Sequence, residues 1–384
     1  MRLTAITNTP QPYAWGRPGG VARALGQPGT DAPEAELWLG AHPLCPSRVL
    51  DPAAPWPDLL AWERHTDTTL PYLMKLLAAQ RPLSLQAHPT TDQASAGFAR
   101  EEAAGIPRDA NHRNYKDPHA KPELIVAIED GFSALCGFRD IAQTIAEIDT
   151  FAHCAPDPAW QQWRERLTGP EGIRSAFVWL LSDAPEVTRL ITLLAEAASQ
   201  DPGRFPLATL LAAEYPGDPG IAVAHMLNQV VLQSGEALWL PAGNVHAYLS
   251  GLGVEVMGPS DNVLRGGLTP KHVDPAELVQ VLDFSAGPAS HLPAVPQGQH
   301  AVAYTPASVA SGAGVPFELV LIDGPTRLHT GSAAVALVLN GDFRITGVDQ
   351  APHALSQGDA AFMDAPGPVT VTGSGRLALA HARP

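Results

Sequence analysis

Residues 235–249 read GEALWLPAGNVHAYL, and four of them, Gly235, Pro241, Gly243 and His246, fall in the spacing G-x5-P-x-G-x2-H. Gly235 turns the chain into the strand EALWL, Pro241 and Gly243 turn it out again, and His246 is aimed into a small β-barrel. A histidine so placed either fills space or holds a metal ion. Which of the two applies depends on whether other donors can reach the same point.

Upstream, LSLQAHPT (83–90) places Gln86 and His88 two residues apart. On a strand, residues i and i+2 share a face, so both can reach one ion. A carboxylate follows later, in KDPHAKPELIVAI (116–128), as Glu123 at the start of an apolar run. The spacing at 235–246 resembles the second motif of the cupin jelly roll, whose first motif supplies the remaining ligands. An insertion of helix and loop between Gln86–His88 and Glu123 accounts for their separation. Gln86, His88, Glu123 and His246 then offer two nitrogen and two oxygen donors, a set zinc accepts while keeping a position for water or substrate. Other divalent ions share those donor preferences.

The 384 residues suffice for two or three domains. No segment approaches the ~20 apolar residues of a membrane span, and the N-terminus lacks the basic-then-apolar pattern of a secretory signal. Three cysteines, Cys45, Cys136 and Cys154, form neither a disulfide framework nor a C-x-x-C pair, which points to reduced thiols in the cytoplasm. A net charge of −15 argues against nucleic acid or an anionic membrane as partner. An anionic substrate would need a local cluster of cations.

The hydrophobic pattern predicts a mainly β protein with a helical insertion, and the motif resemblance implies two cupin jelly-roll domains plus an α-helical subdomain. Residues 1–138 and 234–285 form the discontinuous catalytic cupin. Residues 139–233 form the inserted helical subdomain, in which IAQTIAEI, PAWQQWRERL, IRSAFVWLLS, EVTRLITLLAEAAS and IAVAHMLNQVVL carry apolar residues at helical spacing. Residues 286–297 read as a linker. Residues 298–384 form a degenerate cupin: after Gly358, the positions of the motif's proline, glycine and histidine hold Asp364, Pro366 and Val369.

Five blocks carry a closer resemblance: ELWLGAHP (36–43), LSLQAHP (83–89), NYKDPHAKPE (114–123), PAGNVHAYLSG (241–251) and VEVMGPSDNVLRGGLTPKHVD (254–274). In this order they resemble the type I phosphomannose isomerases. The resemblance implies one zinc ion per chain, a hexose 6-phosphate substrate, and interconversion of mannose 6-phosphate and fructose 6-phosphate. It places Gln86, His88, Glu123 and His246 on the zinc-ligand positions and Arg265 on the family's catalytic arginine. The family's N-H-K-P-E reads His119, Ala120, Lys121 here, so the histidine is displaced by one position.

An aldose–ketose isomerase must stabilise the negative charge of an enediolate where it develops. Neutral Gln86, in place of a second carboxylate, leaves a bound cation a stronger Lewis acid. Lys121 stands two residues before Glu123 and, if extended, shares its face. Near a cation its proton affinity can fall far enough for base catalysis. Tyr248, Glu255 and Asp261 are further candidates for proton relay or ring opening, and each also suits a supporting hydrogen bond. Lys75, inside an apolar run, and Ser84, two residues before Gln86, are candidates for binding phosphate. Lys271 is another, and reads equally as surface charge. Arg265 suits either phosphate or an enediolate. His42 and Trp38 could line the pocket, although residues so placed more often pack the barrel edge. An iron-dependent cupin dioxygenase and a sugar-phosphate sensor without turnover are the alternative classes. The chain is expected to act as a monomer or weak homo-oligomer.

Overall fold

His246–Met257 is a twelve-residue strand buried at every position but one, and the first sheet is built on it. Its second half, Gly251–Met257, pairs antiparallel with Leu73–Ala79 on one side, and Gly253–Met257 with Glu123–Ala127 on the other. Its first half pairs instead with Phe132–Phe138, and His246 itself pairs with Gln86. The change of partners falls at a register shift between Tyr248 and Ser250, followed by Gly251 at φ 130°. A Cβ on Gly251 would stand 2.6 Å from the Phe132 ring, so only glycine lets the strand bend here. One strand thereby serves two arrays and curls them around a common interior. The computed structural model describes residues 1–169, 171–348 and 350–383.

Between Phe132–Phe138 and Leu227–Leu232, which pair with each other, the chain is helical. Ile141–Cys154 and Pro158–Thr168 are capped by Asp140 and Asp157, whose carboxylates accept from Ala142 and Ala159 backbone N–H groups. Pro185–Gln200 and Pro206–Glu214 each begin with a proline, whose missing N–H costs nothing in the first turn. Phe151 stacks on Phe205 at 4.3 Å and on Trp160 at 5.5 Å, which joins these helices in one apolar core.

One segment departs from its expected form. IAVAHMLNQVVL does not continue as helix: a short helix, Gly220–Ala224, ends and Leu227–Leu232 is a strand. Its burial alternates at Val230, Val231 and Leu232, buried, exposed, buried, which is the two-residue period of a sheet. The adjacent valines satisfy a helical spacing equally well, and pairing with Phe132–Phe138 decides between the two.

The last sheet runs through Ala301–Tyr304, Phe317–Ile322, Gly367–Ala382, Ala334–Thr346 and Ala360–Met363. It does not stop at the C-terminal residues. Leu3–Thr7 adds to Ala360–Met363, with Leu3 opposite Met363, and Arg48–Val49 adds to Leu3–Thr7. The stretch expected as a linker also pairs, His291–Leu292 with Ala237–Leu240 and Ala294–Pro296 with Ala301–Tyr304. Side chains from both sheets share one core, including Trp62, Tyr72, Trp239, Tyr304 and Phe362. The Tyr72 hydroxyl, 2.8 Å from the Ala380 carbonyl and 3.2 Å from that of Ala333, ties one sheet to the other. No helix among the described residues is long and apolar enough to cross a membrane.

Glu147 fastens the helical segment to the sheet. It lies 2.8 Å from His225 Nδ1 and also pairs with Arg139. Burial alone would raise its pKa, but His225 and Arg139 bring it down to about 2. A depressed carboxyl stabilises the fold above its ordinary value and loses that contribution as pH falls through the folded one. Glu147→Gln is therefore expected to cost about 1.5–3 kcal/mol at neutral pH in urea unfolding. The gap to the unsubstituted protein should narrow as pH falls from 4.5 toward about 2.

Candidate active site

Glu123 opens the strand Glu123–Ala127 and is 3 % exposed. Its two oxygens each lie 3.3 Å from an imidazole Nε2, Oε1 from His88 and Oε2 from His246. Donor atoms of the three side chains lie within 4.8 Å of one another, and all three residues are buried. Gln86 is brought alongside by strand pairing, opposite His246 on one side and Arg265 on the other. The turn after EALWL docks on the same strand end: Gly243, at φ 81°, donates its N–H to the His88 carbonyl at 2.9 Å. Three of the predicted donors therefore meet at one place, and strand register sets Gln86 beside them.

Both imidazoles are oriented from behind. His88 Nδ1 lies 2.7 Å from the Asn262 carbonyl, so that nitrogen donates and Nε2 keeps its lone pair. His246 Nδ1 stands 3.1 Å from the Asn244 carbonyl. Burial holds the His88 pKa down at about 4, leaving the ring neutral at physiological pH, with its Nε2 lone pair free of a proton. Its Nε2 is buried with no aligned hydrogen-bond partner, although Glu123 is near. Such an orphan costs free energy unless something else accepts its lone pair, and a cation does so. The donor set fits a divalent ion of zinc's preferences.

The Asn262 side chain also places Glu123. It accepts from Lys116 N–H at 2.7 Å and donates to the carbonyls of Asp117 and His119 at 2.7 and 2.9 Å. Asp117 in turn accepts from the Ser260 hydroxyl and the Asp261 N–H. The segment that follows the helix Thr91–Ala103 is thus knotted to the chain after His246–Met257. Lys121 ends 2.8 Å from Glu123 Oε1, on the side predicted for an extended segment. His119 is exposed, as is His112.

Next to the donors lies a layer of buried charge. Lys75 Nζ stands 3.3 Å from Glu255 and 3.6 Å from Glu36, and 5.0 Å from the centroid of the Trp38 ring. Strand register sets this up, since Lys75 pairs with Glu255 on one neighbour and with Trp38 on the other. Burial would lower the Lys75 pKa, but Glu36 and Glu255 overcome it and raise it, so the ammonium persists. The Tyr248 hydroxyl donates to Glu255 at 2.9 Å, and burial together with that carboxylate pushes the phenol up.

A cleft of about 530 Å3 opens from this layer. Ser84, Gln86, Lys75 and Lys121 line its inner part, and Asp261, Arg265 and Lys271 its outer part. Burial alone lowers the Arg265 pKa, with no carboxylate opposing it; Lys271 is lowered by burial and by Arg265. Two cations that repel each other in a half-buried wall are suited to an anion. Tyr248 and Glu255, both candidates from sequence, stand behind the wall rather than in it. Lys75 reaches the wall, with its charge engaged by two carboxylates. Trp38 and His42, for which pocket lining was the alternative to packing, line the cleft, as does Glu36. Their presence in the block ELWLGAHP was the available signal.

Buried donors beside a cleft that holds Arg265 and Lys271, on a mainly β scaffold, make a centre suited to a single metal ion. Comparison with known proteins supplies the particular family. The family model for the phosphomannose isomerase type I catalytic domain matches residues 3–141. Mannose-6-phosphate isomerase of Escherichia coli (strain K12) is 38 % identical, over 99 % of each chain. A crystal structure of a zinc-bound holo mannose 6-phosphate isomerase superposes with a TM-score of 0.87 at 33 % identity, covering 100 % of both chains. The apo enzyme from Salmonella typhimurium superposes with a TM-score of 0.86 at 33 % identity, over 100 % of this chain and 99 % of that one. The chain belongs to the type I phosphomannose isomerases, a family of enzymes.

Asn262→Ala should release both the segment that carries Lys121 and Glu123 and the carbonyl that orients His88. Its divalent-metal affinity is expected to fall about 10–100-fold, read by competition with a chelating dye.

Proposed function

We propose that this chain is a zinc-dependent aldose–ketose isomerase that interconverts mannose 6-phosphate and fructose 6-phosphate. The observation that carries this reading is the cluster of His88, Glu123 and His246, with Gln86 paired beside it, next to a cleft lined by Gln86, Lys121, Arg265 and Lys271. The names of its relatives and the zinc in a solved structure of that family support the same substrate and metal. We read the array around His246–Met257 as a cupin jelly roll, with residues 1–138 and 234–285 as the catalytic unit. Residues 139–233 are its helical insertion, and 298–384, completed by Leu3–Thr7, a second cupin without ligands. Unpaired Cys45, Cys136 and Cys154 agree with work in the cytoplasm.

Gln86, His88, Glu123 and His246 would hold one zinc ion, which supplies Lewis acidity to polarise the sugar oxygens when bound. In the aldose-to-ketose direction C2 loses a proton and C1 gains one, while a hydroxyl proton passes from O2 to O1. The chain must bind the phosphate, oppose the negative charge of the enediolate and hold the travelling protons. Arg265 offers a permanent planar cation to negative charge on the substrate, with Lys271 as the second and the Ser84 hydroxyl as a donor. Lys121 and Asp261 are two groups in the cleft wall that can carry a proton. Lys75, held between Glu36 and Glu255, keeps positive charge at the inner wall, and Tyr248 fixes Glu255 from behind.

The test is conversion of mannose 6-phosphate to fructose 6-phosphate by purified protein, before and after chelation and zinc return. Turnover lost on chelation and restored by zinc is expected; metal-replete protein without turnover would sink the proposal. Arg265→Ala should lower kcat/KM by about 100-fold or more while zinc content stays unchanged.

A further inference from the structure

His42 lies in the turn after the strand Glu36–Leu39 and is 4 % exposed. The Leu44 N–H donates to its Nδ1 at 3.3 Å. A ring nitrogen that accepts from an amide carries no proton, so the neutral imidazole is protonated on Nε2. That nitrogen is 3.3 Å from Asp261 Oδ1. The ring is also held edge-on against Trp38, with centroids 4.8 Å apart and planes at 80°. The indole is itself fixed, because Trp38 Nε1–H donates to Glu36 Oε2 at 2.7 Å. Asp261 sits on a loop with its side chain 42 % exposed, where a carboxylate would otherwise sample several rotamers.

We propose that His42 is a positioning residue for the isomerase reaction read above: its Nε2–H takes hold of Asp261 and aims that carboxylate into the cleft. The chain Glu36–Trp38–His42–Asp261 runs along one wall from the buried charge layer to the open cleft. The groups facing Asp261 are His42, Lys121, Lys75 and Tyr13, with its own N–H on Asp117. Burial pushes the Asp261 pKa up, and His42, followed by Lys121 and Lys75, pulls it below the usual carboxylate value. Removing His42 therefore raises it, and activity that needs the anion is lost at a higher pH.

The experiment uses the full zinc-loaded chain with mannose 6-phosphate. His42→Ala is expected to lower kcat about 10- to 100-fold with KM within about twofold, and to move the acid limb of kcat/KM to higher pH. His42→Gln, which keeps an N–H donor, should recover part of the loss. In an Asp261→Ala background His42→Ala should cost little more, since it acts through that carboxylate. Nitrogen-15 NMR of the unsubstituted protein should show the Nε2–H tautomer. An Nδ1–H tautomer, an unmoved kcat and acid limb, or an undiminished cost in the Asp261→Ala background would overturn the proposal. If the unsubstituted protein proved inactive, the isomerase reading would fall, and the tautomer alone would decide whether His42 holds Asp261.

Discussion

A carboxylate cannot be buried without compensation, and at Glu123 it comes first from the Lys121 ammonium. His88, His246 and Lys121 stand around it, at 3.3, 3.3 and 2.8 Å. Burial opposes ionisation of Glu123; Lys121 and His88 more than offset this and hold it well below the ordinary carboxyl range. Each neighbour arrives on a different segment, so the strand pairing that brings Gln86 to His246 and the Asn262 knot that delivers Glu123 have to form together. The curl of His246–Met257 at Gly251 makes that pairing geometrically available.

The charge layer beside the donors follows the same logic. Lys75 between Glu36 and Glu255 is one cation against two carboxylates in a buried place. Removing either partner of such a group leaves an uncompensated buried charge, which is far costlier than the pair is beneficial. The layer therefore serves better as a rigid, polar floor than as a source of stability. It also helps a chain of net charge −15 present cations to a cleft: Glu36 and Glu255 are engaged by Lys75, while Arg265 and Lys271 line the cleft together with Asp261.

The C-terminal sheet contributes no residue to the donor set. It is joined to the first sheet by the apolar core they share and by the Tyr72 hydroxyl. Because Leu3–Thr7 pairs into that sheet, the residues that follow it and reach the cleft, Tyr13 to Trp15, are anchored from the far unit.

Much of the site was legible in the sequence because its signals are local. Alternation puts Gln86 and His88 on one face, a fixed turn spacing aims His246, and an extended KPE puts Lys121 beside Glu123. Family resemblance added Arg265. What sequence alone could not decide was which edge a strand joins and which polar residue meets which. Leu3–Thr7 alternates as any edge strand does, and Leu227–Leu232 satisfies helical and strand periods alike until a partner strand selects one. Glu36, Trp38 and His42 stand close together in sequence, but Lys75 and Asp261, which they meet, and the partners of Asn262 lie tens to hundreds of residues away, where no local pattern names them. Patterns of two and 3.6 residues report faces; only tertiary packing, through long-range pairing and the demand that buried charges be met, reports partners.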